Sequence, residues 1–121
     1  MDDEVSSDAV RERLADDDRD DPRIIDVRTP REFNNGHIPD SENIPLGEIP
    51  DRLDEFVGDG DEEIVTVCRS GNRSLQAVHY LVSNDVDVEA RSMAGGVTDW
   101  DGELVSDSAD AVADSGAGRF F

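Results

Sequence analysis

The only cysteine of this 121-residue chain, Cys68, is followed by Arg69, Ser70, Gly71, Asn72, Arg73 and Ser74, so a nucleophilic atom, two cations, a glycine and two hydroxyls share seven consecutive positions. Residues of these types at this density suit a loop that holds an anionic sulfur. Glycine permits a tight wrap in which successive N–H groups point inward, and nearby arginines and a helix N-terminus favour thiolate over thiol. A lone cysteine at a strand end is, taken alone, more often a small buried hydrophobe than a nucleophile. Its neighbours tip the choice, because a buried filler needs no run of Arg, Ser, Gly, Asn, Arg and Ser after it.

Such a loop needs a strand that ends at the cysteine and a helix that begins soon after it. Residues 63–67, EIVTV, form a β-branched run, the clearest strand in the chain. SLQAVHYLVSN, residues 74–84, carries Leu75, Val78 and Val82 on one helical face and stops near Asn84, which puts the helix start near Arg73 or Ser74. RIIDV at 23–27 and ENIP at 42–45 read as further strands, and VDVEARSM at 86–93 alternates as another before the turn at Gly95 and Gly96. GEIPDRLDEFV has Ile49, Leu53 and Phe56 at helical spacing before Gly58, which predicts a helix. A serine-capped amphipathic helix is predicted over SSDAVRERLADDD, with Val10 and Leu14 on its apolar side. Strand, helix, strand, helix, strand is the pattern of βαβ units and a parallel sheet. Ligands of open parallel sheets bind at the carboxyl ends of strands, where Cys68 is expected.

A chain of 121 residues has room for one domain with one core. No stretch approaches about 18 consecutive apolar residues, and the acidic start MDDEVSSDAV lacks the basic-then-apolar pattern of a signal peptide. A soluble, cytoplasmic protein is expected, and one cysteine excludes an internal disulfide. There are 31 acidic residues against 11 basic ones, all arginine. Such a surface repels nucleic acid and anionic membranes, and the lack of lysine excludes Schiff-base chemistry. The acids are spread between regular apolar segments, which disorder does not explain. They predict a folded domain with an acid-rich surface of the kind halophilic proteins carry, working in a high-salt cytoplasm such as that of a halophilic archaeon. After Gly102 the chain is rich in Ser, Asp, Ala and Gly, so a domain over 1–104 and a flexible acidic tail over 105–121 are expected.

Three segments resemble the single-domain rhodaneses, sulfurtransferases that pass sulfane sulfur through a cysteine persulfide. DVRTPREFNNGHIPDSENIP, from Asp26, resembles the family's N-terminal signature, CRSGNRS its active-site loop, and MAGGVTDW its C-terminal Gly-Gly-then-Trp. The likeness runs in the right order from about residue 4 to 102. It implies an α/β fold with a mostly parallel sheet of about five strands and helices on both faces. It implies Cys68 as the persulfide-forming nucleophile, the backbone amides of Arg69, Ser70, Gly71, Asn72, Arg73 and Ser74 as the cradle around its sulfur, and Arg73 as the arginine that closes the loop. Arg69 stands where related thiosulfate sulfurtransferases often carry a basic residue suited to a dianionic donor, although an arginine on a loop is by default simply solvated. Asp26, Arg28 and Glu32 read as structural support, with Arg28 and Glu32, four apart, able to pair locally. His37 reads as a hydrogen-bonded turn residue.

The chemistry so implied needs no metal and no organic cofactor. Its partners are a small-molecule sulfur donor, such as thiosulfate, and a thiol, cyanide or sulfur-carrier-protein acceptor. Two rival classes stand beside it. Cysteine-dependent phosphatases and arsenate reductases use a similar loop with five residues between Cys and Arg; only four separate Cys68 from Arg73, which favours a single sulfur atom over a tetrahedral oxyanion. The other is a non-catalytic rhodanese-like carrier or binding module. A Cys-His hydrolase is weaker still, because His79 lies on the helix roughly 9 Å beyond Arg73.

Overall fold

The computed structural model describes residues 3–15, 22–57, 63–86 and 88–106. In chain order its elements are β1 (Glu4–Val5), α1 (Ser7–Ala15), β2 (Arg23–Asp26), α2 (Pro30–Asn34), β3 (Glu42–Asn43), β4 (Glu63–Val67), α3 (Asn72–Ser83) and β5 (Glu89–Met93), with three short 3-10 helices between and after them. The strands form one sheet in the order β1-β5-β4-β2-β3, and every pairing is parallel. The parallel sheet of about five strands expected from the sequence is the sheet observed.

Alternation along the strands divides the core into two layers. Ile25, Val27 and Ile64 face α3 and the 3-10 segment, where they meet Ile49, Phe56, Ala77 and Leu81. Ile24, Val65, Val67 and Met93 face the other way and pack with Val10 of α1 and Ile38. Burying an aliphatic side chain of this size contributes about 1.5–3 kcal/mol, so β2 and β4, apolar on both faces, anchor the sheet.

Four features depart from the sequence reading. The helix expected over 47–57 is two 3-10 helices, Leu46–Asp51 and Leu53–Phe56. Pro50 sits inside the first, and a proline there lacks an N–H and crowds the carbonyl four residues back, so the segment closes by shorter bonds such as Arg52 N–H to Ile49 O at 2.9 Å. Ile49 and Phe56 are buried all the same. On α3 the buried face is Ser74, Ala77, Val78 and Leu81, whereas Val82 is 64% exposed. Small residues let this helix lie close on β4 and β5, and apolar periodicity passes over them.

The edge strand β1, paired with β5, is a further element that the sequence pattern does not show, since two residues that include an acid carry no periodicity. The short helix α2 is the last, although Thr29, Pro30 and Glu32 spell its start: Thr29 Oγ1 accepts from Glu32 N–H, Glu32 accepts from Thr29 N–H, and Pro30 opens the helix. Val105 pairs with His37 through two 2.8 Å backbone bonds. The rest of the expected tail, from residue 107, lies outside the described residues. Among the described residues no helix is long and apolar enough to cross a membrane.

Candidate active site

The chain leaves β2 toward β3 on one side and leaves β4 toward β5 on the other. The crevice between the carboxyl ends of β2 and β4 is therefore the point where the winding reverses, which is where α/β sheets bind ligands. Cys68 is the first residue after β4, and its alternation with Ile64 and Thr66 turns its side chain to the α3 face.

From there the chain wraps in one turn into α3. Gly71, the residue before the helix, has φ +106°, a left-handed conformation that favours glycine. That turn aims the Gly71 N–H at Cys68 Sγ, 3.0 Å away. The Ser74 hydroxyl, one helical turn on, lies 3.5 Å from the same sulfur. The loop is clamped from outside by the turn after β5: Val97 N–H donates to Cys68 O at 2.9 Å, and Thr98 gives its N–H and its hydroxyl to Arg69 O at 3.0 and 2.8 Å. A Cβ on Gly96 would stand 2.6 Å from the Arg69 carbonyl, so the glycine at this position is what allows the close approach.

Cys68 is only 1% exposed. Burial is the largest single influence on its thiol and opposes ionisation. The Ser74 hydroxyl and the amides of Ser74, Gly71 and Ser70 together outweigh it, leaving the pKa below the ordinary thiol value. The direction matches the sequence reading, and the inward amides it expected are among the causes. The neutral donors dominate, while Arg69 is exposed and its guanidinium has no partner among the described residues. Ser70 and Asn72 also have exposed side chains.

Arg73 reaches α2, where its two terminal nitrogens meet the Glu32 carboxylate at 2.8 and 3.0 Å. The arginine beside it holds the Glu32 carboxyl down to about 2. The expected local pair of Arg28 with Glu32 does not form. Arg28 precedes the Thr29 cap and so lies outside the helix, where the four-residue spacing has no meaning. Instead Arg28 folds back on Asp26, with Nε and Nη2 at 2.8–3.1 Å from its two oxygens, and donates also to Gly36 O at 2.7 Å. Both partners are buried. Asn43 ties this turn down by donating to Asp26 O and Arg28 O, a role that no sequence pattern announces. His37 is buried and stacked on Phe33, its Nδ1 2.8 Å from Phe33 O; since a carbonyl only accepts, Nδ1 carries the proton. His79 is exposed on α3 beside Asp3.

Residues 6–103 match the profile of the rhodanese-like domain. The chain belongs to the rhodanese-like family. A sulfurtransferase of Allochromatium vinosum is 38% identical over 97 residues, which cover 80% of this chain and 86% of that one. Among solved structures, a rhodanese-like domain protein of Staphylococcus aureus superposes with a TM-score of 0.74 at 31% identity, covering 88% of this chain and 98% of that one. SSP1007 of Staphylococcus saprophyticus gives a TM-score of 0.68 at 35% identity, over 79% and 89% of the two chains. General sulfur transfer thus has support from sequence relatives as well as from the rhodanese-like loop itself.

Proposed function

We propose that this rhodanese-like protein is a sulfurtransferase that takes sulfane sulfur from thiosulfate or a related donor onto Cys68 and gives it to a thiol or cyanide. The observation that carries the reading is the Gly71 N–H and Ser74 hydroxyl converging on one buried sulfur. The Cys68 thiolate attacks the outer sulfur of thiosulfate, a new S–S bond forms, the old one breaks, and sulfite leaves with the electron pair. An acceptor thiolate or cyanide then attacks the outer sulfur of the Cys68 persulfide and restores the thiolate, as in ping-pong covalent catalysis. Ser70, Gly71 and Ser74 donors stabilise the charge on the bound sulfur throughout. In this reading Arg69 draws in the dianion, while Arg73, held by Glu32, and the Asp26–Arg28 pair keep the loop in place.

The test is transfer from thiosulfate to cyanide by the wild type and by Cys68→Ser. Loss of turnover in the variant is expected, and an unchanged rate would end the reading. Turnover of an aryl phosphate at a comparable rate would favour the phosphatase alternative.

The setting in this reading is a reducing, high-salt cytoplasm. It is supported by a net charge of −20 on 121 residues without lysine. The Debye length is about 30 Å at 0.01 M salt and about 3 Å at 1 M, so acids that repel across the whole domain in dilute buffer are screened from one another in molar salt. The melting temperature should rise between dilute and molar KCl, with choline chloride separating screening from cation binding. A flat or falling melting temperature would remove the high-salt assignment and leave the sulfur chemistry as it stands.

A further inference from the structure

Ser92, near the end of β5, is fully buried, and its Oγ lies 2.7 Å from Ser74 Oγ. Among the described residues its side chain has no other hydrogen-bond partner. A buried hydroxyl proton goes to an acceptor wherever one is in reach, so Ser92 donates to Ser74. Ser74 therefore keeps its own proton to give, and has two acceptors for it: Gly71 O at 3.1 Å and Cys68 Sγ at 3.5 Å. The carbonyl is the better acceptor against a neutral thiol, and a thiolate is far better than a thiol. Turning one O–H about its Cβ–Oγ bond then moves the Ser74 proton from Gly71 to sulfur as Cys68 ionises, with no heavy atom displaced. Thr66 Oγ1, donating to Ser74 O at 2.9 Å, holds this first turn of α3 in register.

We propose that Ser92 is a positioning residue: its hydroxyl donates to Ser74 and thereby commits the Ser74 hydroxyl to donation toward the Cys68 sulfur. Donation into Ser74 also polarises its O–H, since hydrogen bonds in a chain strengthen one another. The proposal rests on the reading of Cys68 as the nucleophile. The charged group that acts on the sulfur is Arg73, which pairs with Glu32 and also feels Asp26, itself paired with Arg28. On β5, Arg91 turns to Glu63 and Glu89. All are retained in the variants below.

Cys68 is the only cysteine, so the rate of alkylation by iodoacetamide against pH reads its ionisation alone. The midpoint should move up by about half a unit in Ser92→Ala, an alkylation about threefold slower near neutral pH, and by about one unit in Ser74→Ala. Ser74→Ala/Ser92→Ala should match Ser74→Ala, because the second hydroxyl acts only through the first. Ser92→Thr, which keeps the hydroxyl, should return the wild-type midpoint, and Ser92→Gly removes the same group where Ser92→Ala does not fold. An unshifted midpoint in Ser92→Ala, additive shifts in the double variant, or a Ser92→Thr midpoint as high as that of Ser92→Ala overturns the proposal. Alkylation needs no sulfur donor. A shifted midpoint in a chain that captures no sulfur would therefore count against the sulfurtransferase reading alone, and an unshifted one in an active enzyme against Ser92 alone.

Discussion

Two buried acids stand at the carboxyl ends of the neighbouring strands β2 and β4, and the chain treats them in opposite ways. The carboxylate of Asp26 is matched by the full positive charge of Arg28, oxygen by oxygen, and both are sealed from water. The thiol of Cys68 meets only neutral donors, an amide at 3.0 Å and a hydroxyl at 3.5 Å. A buried ion with a matched counter-ion is electrostatically finished and serves as structure. A buried acid whose hydrogen bonds come from neutral donors is drawn toward its anion without an ion pair at the sulfur to quench it, so its electron pair stays available for attack.

The largest effects separate the two sites. Cys68→Ser should abolish sulfur transfer to cyanide while its denaturant midpoint stays near wild type. Arg28→Ala leaves a buried carboxylate without its counter-ion and should lose about 3–5 kcal/mol of folding stability in a urea titration. The protein that remains folded should still form the persulfide. If Arg28→Ala instead kept its stability and lost transfer, the two sites would have to exchange roles.

The Glu32–Arg73 clamp falls between these extremes, with side chains about one-third exposed, 32% and 33%. Glu32→Gln should cost only about 0.5–1 kcal/mol near neutral pH, because water screens the pair. The Glu32 carboxyl is lowered in the fold from 4.5 to about 2, so its contribution is fully present above about pH 4.5 and is lost as pH falls toward 2. Melting curves of wild type and Glu32→Gln should therefore differ by a constant gap at higher pH and converge in acid. A gap that persists at the acid end would mean that packing rather than charge holds α2 to the loop.

The smallest effect is expected at the exposed Arg69. Arg69→Ala should raise KM for thiosulfate about two- to fivefold with kcat little changed, because a solvated cation attracts a dianion without closing on it. Raised salt should lower the wild-type advantage further.

One side of this contrast is legible in the amino-acid sequence. EIVTV ends at Val67 as expected, and the residue types after it point to the anion cradle, because β-branched runs and glycine turns act through local sterics. The Arg28–Asp26 pairing is not legible: β2 ends at Asp26, so strand alternation does not place Arg28, and the turn after β2 sets where its guanidinium goes. Sequence spacing gives Glu32 the wrong arginine for a related reason, since its true partner is 41 positions away on α3. The hydroxyls at Thr66, Ser74 and Ser92 carry no periodicity at all, and their meeting depends on β4 and β5 lying in parallel register beneath α3. Pro50, by contrast, is a plain local warning against a helix, which the apolar spacing around it masks.

The central claim is that Cys68 sits in a cradle made to carry sulfur, and intact-mass analysis of the purified chain after incubation with thiosulfate tests it most directly. The mass should rise by one sulfur atom, return to the starting value when cyanide is added, and never rise in Cys68→Ser. A wild-type mass left unchanged by thiosulfate and by other sulfane-sulfur donors would contradict it, as would an equal gain in the serine variant.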